Sequence, residues 1–287
     1  MPVPADTDLR ARRIVSRVVL DTLVPLFVAG LIVALLTDTI VNRIDPSELK
    51  TNTLLMGSRP IRMLSDAQSF AVALASSAVL LLAALSGAIV IGVPMGIAHA
   101  WSRNRPLRAF AWSVSTVAAS LPAFFWAVGL ELAMLVVFFR TGVRLLPIAG
   151  FGLDEHLLLP AVALGARPAA YIFRLTATAV EEVRHTDYVR TAVAKGLGER
   201  HLLTRHVLPN AAPAIIAATV LGARGALSSL VIVEFVYVWG GAGLTFVQAI
   251  GARQAVLAGG LAFAFAFGSA LLALTADLTQ ARVRVTS

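Results

Sequence analysis

The chain has 287 residues, of which 58% are hydrophobic and only 14% are charged. Soluble domains contain about 45–50% apolar and about 25% charged residues, so this composition excludes both an ordinary water-soluble enzyme and a disordered chain. The absence of cysteine excludes disulfides, thiolate metal sites and a cysteine nucleophile. The net charge of +8 indicates either nucleic-acid binding or the basic cytoplasmic loops of a membrane protein.

Six stretches are long and apolar enough to cross a bilayer, which requires about 20 mostly apolar residues per helix. In chain order, the predicted spans are residues 18–37, a segment within 67–102, and residues 109–139, 157–180, 211–238 and 254–276. The first span is expected to be a retained anchor, because its apolar run is too long for a cleaved signal peptide. The sequence therefore predicts an all-α polytopic membrane protein with about six transmembrane helices.

The distribution of basic residues predicts the orientation of these spans. If the N-terminal tail (1–17) is cytoplasmic, 14 of the 24 Lys and Arg residues lie inside and 7 lie outside. This bias predicts that both termini are cytoplasmic, with an extracytoplasmic loop at 38–69, a core of five spans over 70–281 and a cytoplasmic tail at 282–287. Topology thus explains the net charge. No nucleic-acid partner is expected, because the sequence has no aromatic-basic platform or groove-reading helix.

The longest predicted cytoplasmic loop, residues 181–209, is densely charged. It predicts two short helices, about 183–195 and 199–207, with Gly196 in the left-handed position that ends the first. The second is expected to stop before Pro209. A solvated linker is the simplest interpretation, but a helix–Gly–helix hairpin with an apolar stripe is typical of a docking element. The predicted stripe comprises Tyr188, Ala192, Leu197, Leu202 and Leu203.

The segment YVRTAVAKGLGERHLLTRHVLPN (188–210) carries a specific pattern, in which nine residues separate Gly196 from His206-Val207-Leu208-Pro209. This spacing resembles the EAA loop of the permease subunits of binding-protein-dependent ABC importers. The residues of the segment are most similar to those of the dipeptide/oligopeptide/nickel permease family. Further segments resemble the same family, and together they extend the resemblance over about residues 69–281. They are LLPIAG (145–150), LLLPAVALG and AAYIFRLTA within 157–177, and VIVEFVYVWGGAGL (231–244).

The resemblance implies a type I importer permease (MetI-like) fold in the bacterial plasma (inner) membrane. It implies that the chain forms half of a pathway for di- or oligopeptides delivered by an extracytoplasmic binding protein. The implied partners are a second homologous permease and two cytoplasmic ABC ATPase subunits, which would bind ATP and Mg. This chain has no G-x-x-x-x-G-K-[ST] motif, and no catalytic residue or resident cofactor is expected in it. The residues that the resemblance assigns to ATPase coupling are Tyr188, Arg190, Thr191, Ala192, Lys195, Gly196, Leu197, Glu199, His206, Leu208 and Pro209.

The sequence departs from the family pattern at three places. Arg190 and Thr191 stand where the general EAA motif has its acidic residue and first alanine, as is usual in the peptide branch. The stretch 240–243 reads Gly-Gly-Ala-Gly where the family often has Pro-Gly-Leu-Gly, and 280–282 reads Gln-Ala-Arg instead of Asp-Pro-Arg. These changes leave the fold expectation intact and weaken the assignment of substrate class, so that peptides, nickel and other small solutes stay open.

Four charged residues lie within the predicted spans: Glu131, Arg167, Arg224 and Glu234. Charges at such positions are costly and usually face protein or water. One interpretation is structural pairing within the helix bundle. The other is that some of them line the translocation path and handle the charged termini of peptides.

Two other classes of protein compete with the importer permease. A stand-alone secondary transporter or channel driven by ions is disfavoured by the pattern from Gly196 to Pro209. An intramembrane enzyme is disfavoured because the spans show no Ser/His/Asp, His/Glu or paired-aspartate constellation. The five histidines have no metal-ligand spacing, and no metal site is expected.

Overall fold

The computed structural model describes residues 66–286, and this part of the chain is helical without β-strand. The N-terminal tail, the first predicted span (18–37) and residues 38–65 of the predicted outer loop lie outside the described residues. The helices are α1 (Asp66–Trp101), α2 (Arg105–Ser120), α3 (Ala123–Thr141), α4 (Leu158–Arg184), α5 (Asp187–Ala194), α6 (Glu199–Leu202), α7 (Leu208–Val236), α8 (Ala242–Gly251) and α9 (Ala255–Thr286). A 3-10 turn (Glu155–Leu157) precedes α4, and a π-helical segment (Leu203–Val207) joins α6 to α7.

Five helical segments of the described chain are long and apolar enough to cross a membrane. They are Phe70–Trp101, Ala123–Thr141, Glu155–Arg184, Leu203–Val236 and Ala255–Thr275. Each overlaps one of the predicted spans from the second to the sixth, which confirms the predicted all-α polytopic class. The last helix, α9, continues to Thr286, so residues 282–286, which were predicted to be a tail, are helical.

The prediction of one continuous helix over 109–139 was wrong, because the chain breaks at Leu121 and Pro122. Leu121 adopts an extended conformation with ψ 127°, and Pro122 has ψ 151°. A proline disfavours helical geometry in the residue before it and provides no N–H for the helical ladder. The break leaves α2 as a separate amphipathic helix of 16 residues and limits the candidate span to the 19 residues of α3.

The structure also contains a helix that the sequence analysis missed. Residues 242–251, predicted to belong to the outer connection between the last two spans, form the short apolar helix α8. Its 10 residues are too few to cross a bilayer. It packs against α1, α7 and α9.

The centre of the fold is the contact between α1 and α4, the most extensive helix pair in the described chain. Three glycines allow the two backbones to approach closely. A Cβ on Gly92 or Gly96 of α1 would lie 2.8 or 2.7 Å from a carbonyl oxygen of α4, and one on Gly165 would lie 2.8 Å from the carbonyl of Ala84. Such close packing of small residues stabilises helix pairs in membranes. The main apolar core continues from this pair to α3 and α7.

Candidate functional site

The first arm of the predicted hairpin is shorter than expected. The helix predicted over 183–195 is interrupted at His185 and Thr186, where α4 ends and α5 begins. The far end of α5 behaves as predicted, since Gly196 has φ +76°. The N–H of Gly196 donates to the carbonyl of Val193 (2.9 Å) and the N–H of Leu197 to that of Ala192 (3.3 Å). These two bonds form a Schellman motif, in which a left-handed glycine ends the helix.

The second arm does not stop before Pro209. Residues from Glu199 onward form α6, pass through the π-helical turn and enter α7, with Pro209 in the first turn of that helix. A proline ring normally clashes with the carbonyl four residues earlier, which here belongs to Arg205. Here the wider π turn (Leu203–Val207) includes Arg205, and the N–H of Leu208 donates to the carbonyl of Leu203, five residues earlier, so the helix continues through Pro209. The hairpin is therefore joined to α7 by continuous helical backbone.

The inner face of the hairpin packs against the ends of the long helices. Val189, Ala192, Leu202 and Val207 are buried in one apolar cluster. On the bundle side this cluster contains Ala100 of α1, Ala179 and Val180 of α4, and Ala211 of α7. The predicted apolar stripe was therefore only partly right: Ala192 and Leu202 are buried and Leu203 is partly buried, whereas Tyr188 and Leu197 point away from the cluster.

The outer face of the hairpin combines apolar and charged side chains. Tyr188, Val193 and Leu197 are 45%, 55% and 37% exposed. The predicted coupling residues Arg190, Thr191, Lys195, Gly196, Glu199 and Pro209 are also exposed, whereas His206 and Leu208 are half-buried. Most of the predicted set is therefore exposed. Ala192 is the exception, because it is buried in the hairpin–bundle cluster.

On α5, polar side chains of this surface form contacts within the helix. The Thr191 hydroxyl donates to the carbonyl of Asp187 at 2.9 Å, one helical turn earlier. Arg190 lies 3.8 Å from the Asp187 carboxylate, and both side chains are largely exposed. Exposed pairs of this kind contribute about 0–1 kcal/mol. Arg190 is therefore free to exchange this partner for a stronger one.

The end of α4 that precedes the hairpin is tied to α1 and α2 by arginines. Arg108 of α2 contacts both carboxylate oxygens of Glu181, at 3.0 and 3.3 Å. Arg184 donates to the carbonyl of Ala100, and its guanidinium lies 4.3 Å from the centre of the Trp101 ring. These contacts place the start of α2, the end of α1 and the hairpin on the same side of the bundle.

Glu234 is the most enclosed of the four charged residues within the spans, with 0% exposure. Its Oε1 accepts a hydrogen bond from the Ser77 hydroxyl (2.5 Å), and its Oε2 accepts from the N–H groups of Gly243 (2.7 Å) and Leu244 (3.2 Å). Ser77 Oγ in turn accepts from the N–H of Ala242 at 2.7 Å. The carboxylate therefore provides hydrogen-bond acceptors for N–H groups in the first turn of α8. Free N–H groups and the helix dipole favour negative charge at this position.

Backbone geometry around this carboxylate explains two of the nearby glycines. A Cβ on Gly241 would overlap Oε1 of Glu234, and one on Gly243 would lie 2.5 Å from Cα of Val231. Val238, three residues before Gly241, has φ +52°, which is strained for a β-branched side chain. The contacts of Glu234 support the structural interpretation for this residue. The sequence analysis missed Ser77, because a serine inside an apolar span carries no distinguishing pattern.

The two arginines within the spans have different surroundings. Arg167 of α4 is half-buried, and its Nε is buried without a hydrogen-bond partner among the described residues. Arg224 lies on the exposed face of α7, together with Leu221 and Ser228. The two helices touch nearby, since a Cβ on Gly222 would lie 3.2 Å from Pro168. Within the described chain, neither arginine forms an ion pair with a carboxylate.

Glu131 lies near the middle of α3 and is half-buried. No hydrogen bond or ion pair of its carboxylate exists within residues 66–286. Among these residues there is also no group of three His, Cys, Asp or Glu side chains arranged to hold a metal ion.

On the side opposite the hairpin, the loop before α4 is held by local polar contacts. The Asp154 carboxylate accepts from the backbone N–H of His156 (3.0 Å) and contacts its ring Nδ1 (2.7 Å). These hydrogen bonds hold the pKa of Asp154 below its usual value. The N–H of Gly150 donates to the carbonyl of Tyr237 (2.9 Å), which attaches this loop to the end of α7.

The fold and the hairpin define a polytopic helical membrane protein with a two-faced loop element ahead of its penultimate span. Comparison with protein families identifies the class: residues 88–284 match the binding-protein-dependent transport system inner membrane component. The match covers more than half of the chain, and the chain belongs to this family. The resemblance predicted from the EAA-type loop and the predicted location in the bacterial inner membrane are confirmed.

Individual relatives narrow the similarity to one branch. The chain is 31% identical over 204 residues to the dipeptide transport system permease protein DppB of Alkalihalophilus pseudofirmus, covering 63% of this chain and 61% of that protein. It is 34% identical over 169 residues to DppB of Bacillus subtilis, covering 58% and 53%. It is 30% identical over 196 residues to the glutathione transport system permease protein GsiC of Escherichia coli K12, covering 68% and 62%. The aligned part thus spans between half and two thirds of each relative.

Family membership favours the importer permease over the ion-driven carrier or channel. It also agrees with the expectation that this chain is a membrane permease rather than an enzyme.

Proposed function

We propose that the chain is the permease subunit of an ATP-driven importer and forms half of a path for di- or oligopeptides. A second homologous permease would supply the other half, and an extracytoplasmic binding protein would deliver the substrate. Two cytoplasmic ABC ATPase subunits would bind ATP and Mg. The relatives are dipeptide and glutathione permeases, which supports a short peptide as the substrate class.

The observation that carries this proposal is the two-faced hairpin. Its outer face offers Tyr188, Val193 and Leu197 among exposed charges, a combination typical of a docking surface. Its inner face packs against α1, α4 and α7 in one apolar cluster. A displacement of the hairpin by an ATPase would therefore act on three long helices at once. Apolar contacts have no fixed hydrogen-bond geometry, so they allow the helices to shift between two arrangements.

A co-purification experiment tests the coupling assignment. The tagged protein is isolated in gentle detergent beside a variant with Arg190, Lys195 and Glu199 changed to alanine, and the bound proteins are identified by mass spectrometry. We expect the wild type to retain a P-loop ATPase and a second permease, and the variant to lose only the ATPase. Isolation of the wild type alone, with transport that needs no ATP, would overturn the importer assignment.

Arg224 supports a path along the exposed face of α7. A charged side chain halfway along a span costs about 2.5–3.5 kcal/mol when it faces hydrocarbon. The face with Leu221, Arg224 and Ser228 is therefore covered by water or by another subunit in the assembled transporter. Arg167, whose Nε lacks a partner within the described chain, lies on the helix that contacts α7 at Gly222. Both arginines are candidates for contact with the carboxylates of a passing peptide.

Uptake of matched neutral and anionic peptides tests this path. We expect Arg224→Met and Arg167→Met to reduce uptake of the anionic peptide more strongly than uptake of the neutral one. Arg140→Met, at the exposed end of α3, is the control and should affect both equally little. An equal loss for the two peptides in the Arg224 and Arg167 variants would indicate a structural role instead.

A further inference from the structure

The exposed face of α2 carries an apolar row that nothing in the described chain covers. Leu107, Phe110, Val114 and Val117 recur at intervals of three and four residues and are each at least half exposed. Residues at this spacing lie on one side of a helix. The opposite side of α2 packs against α4. The helix therefore presents a continuous apolar strip, about three turns long, to its surroundings.

Several arginines lie on α2, in the turn before it or on α4 beside it. Arg108, Arg174 and Arg184 already have partners, which are Glu181, the Trp112 ring and the Trp101 ring. By contrast, Arg103 and Arg105 are exposed and form no hydrogen bond or ion pair within the described chain. Arg108 is thus paired with Glu181, whereas the positive charges of Arg103 and Arg105 have no carboxylate partner within the described chain.

The turn that bears these two arginines is ordered by local hydrogen bonds. The Asn104 side chain accepts from the N–H of Leu107 (3.2 Å), and the N–H of Asn104 donates to the Ser102 hydroxyl (3.2 Å). Arg103 and Arg105 are therefore held just ahead of the apolar row. Along the axis of α2 the order is positive charge first and apolar surface second. This is the order of headgroup and acyl chains in one leaflet of a bilayer.

We propose that the surface formed by Arg103, Arg105 and the row Leu107, Phe110, Val114 and Val117 binds an anionic phospholipid. The arginines contact the headgroup phosphate, and the row lies against the acyl chains. The Arg108–Glu181 pair places this surface on the side of the hairpin, so its assignment to the cytoplasmic leaflet rests on the proposed function. A basic surface between helices on that side is typical of anionic lipid sites.

The alternative occupant is another protein subunit, which would also cover an apolar row. Charge favours the lipid, because the phosphate of a phospholipid compensates both unpaired arginines and supplies the apolar chains in one molecule. Each arginine near a membrane surface contributes on the order of a factor of five to anionic lipid binding, so removal of both should weaken it about 30-fold.

The test uses the full chain with its co-purifying subunits in nanodiscs of phosphatidylcholine, with and without phosphatidylglycerol. Bound lipids are counted by native mass spectrometry, and the thermal midpoint is recorded in both lipids. The double variant Arg103→Gln/Arg105→Gln is compared with Arg140→Gln/Arg144→Gln, which removes two arginines at the other end of the α2–α3 segment. Arg103→Lys/Arg105→Lys retains the charge and reports on folding of the turn.

We expect phosphatidylglycerol to be retained by the wild type and to raise its thermal midpoint. Both effects should be lost in the Arg103/Arg105 glutamine variant and kept in the Arg140/Arg144 and lysine variants. Equal retention of phosphatidylglycerol in all variants would overturn the proposal. An equal loss of this lipid in the Arg103/Arg105 and Arg140/Arg144 glutamine variants would also overturn it. Loss of a protein subunit in place of lipid would identify a protein as the occupant and also overturn it. None of these readouts depends on ATP or transport, so the coupling proposal stands or falls separately.

Discussion

The two ends of α7 are held by different kinds of contact. At the hairpin end, Val207 and Ala211 pack among apolar side chains, and the hairpin keeps a free outer face. At the other end, Glu234 lies without solvent contact and accepts hydrogen bonds from Ser77 and from the first turn of α8. Apolar packing tolerates small displacements, whereas a buried carboxylate must keep all its partners or lose much of its stabilisation.

Under the proposed function, this difference assigns separate roles to the two ends of the helix. The hairpin end is suited to receive movement, because its contacts have no strict geometry. The α8 end is suited to remain a rigid body, because Glu234, Ser77 and the α8 backbone form one satisfied network. The following predictions test this contrast, beginning with the largest expected loss of stability.

Removal of the buried carboxylate should have the largest effect. Glu234→Ala leaves the N–H groups of Gly243 and Leu244 and the Ser77 hydroxyl without their acceptor. Each unsatisfied buried group costs about 1–3 kcal/mol, so the total loss should be about 3 kcal/mol or more. Thermal unfolding in detergent measures it. Glu131→Ala, at a half-buried carboxylate, is the control, and a comparable loss there would remove the distinction between the two residues.

Two adjacent glycines test how tightly α8 is packed against Glu234. A Cβ at Gly241 overlaps the Glu234 carboxylate, whereas a Cβ at Gly240 lies 3.7 Å from the Phe151 ring, an ordinary contact. Gly241→Ala should therefore destabilise the protein by about 1–3 kcal/mol, and Gly240→Ala should leave the thermal midpoint nearly unchanged. Equal midpoints for the two variants would show that the first turn of α8 adapts, contrary to a rigid end.

At the hairpin, the strain comes from one backbone angle. Gly196→Val forces a β-branched residue to φ +76°, at a cost of about 1–2 kcal/mol, although no atom lies within 4 Å of the new Cβ. We expect the protein to remain in the membrane while ATP-dependent uptake falls. Gly198→Val, two residues away, also meets open space and has no positive φ, so it is the matched control. Normal uptake by the Gly196 variant would contradict the coupling role.

The smallest effect is expected at the loop before α4. The hydrogen bonds from His156 lower the pKa of Asp154, so their stabilisation is complete above the unfolded pKa of about 3.9 and disappears as the pH falls through the lower, folded value. Asp154→Asn should therefore reduce the thermal midpoint slightly at pH 7. The difference from wild type should shrink as the pH falls below the unfolded pKa. A difference that grows on acidification would show that this carboxylate does not stabilise the loop in its charged form.

Several local features of the fold could be predicted because they depend on neighbours in the sequence. Long apolar runs predicted the five candidate spans, since backbone groups in hydrocarbon must be satisfied within a helix. Gly196 could be placed in a left-handed turn, because its spacing after α5 matches a helix C-terminus. The pattern from Gly196 to Pro209 predicted the family, which the match over residues 88–284 confirms.

Other features were mispredicted where local rules had two solutions. Pro122 broke a helix that hydropathy made continuous, whereas Pro209 was expected to break a helix and did not. The difference lies in the preceding turn, because a wider π-helical segment leads into Pro209, whereas Pro122 follows a residue in extended conformation. The predicted apolar stripe of the hairpin was only partly right, since Ala192 and Leu202 are buried whereas Tyr188 and Leu197 are exposed.

The sequence by itself determined the class of protein, the five apolar spans of the described chain, the turn at Gly196 and the family. These properties depend on composition and on residues close together along the chain. Only the tertiary structure decided that Ser77 meets Glu234, that Ala192 is buried while Tyr188 is free, and that Arg103 and Arg105 lack partners within the described residues. Each of these depends on how α1, α2, α4 and α7 pack. Such contacts join residues up to 157 positions apart, and no local pattern records them.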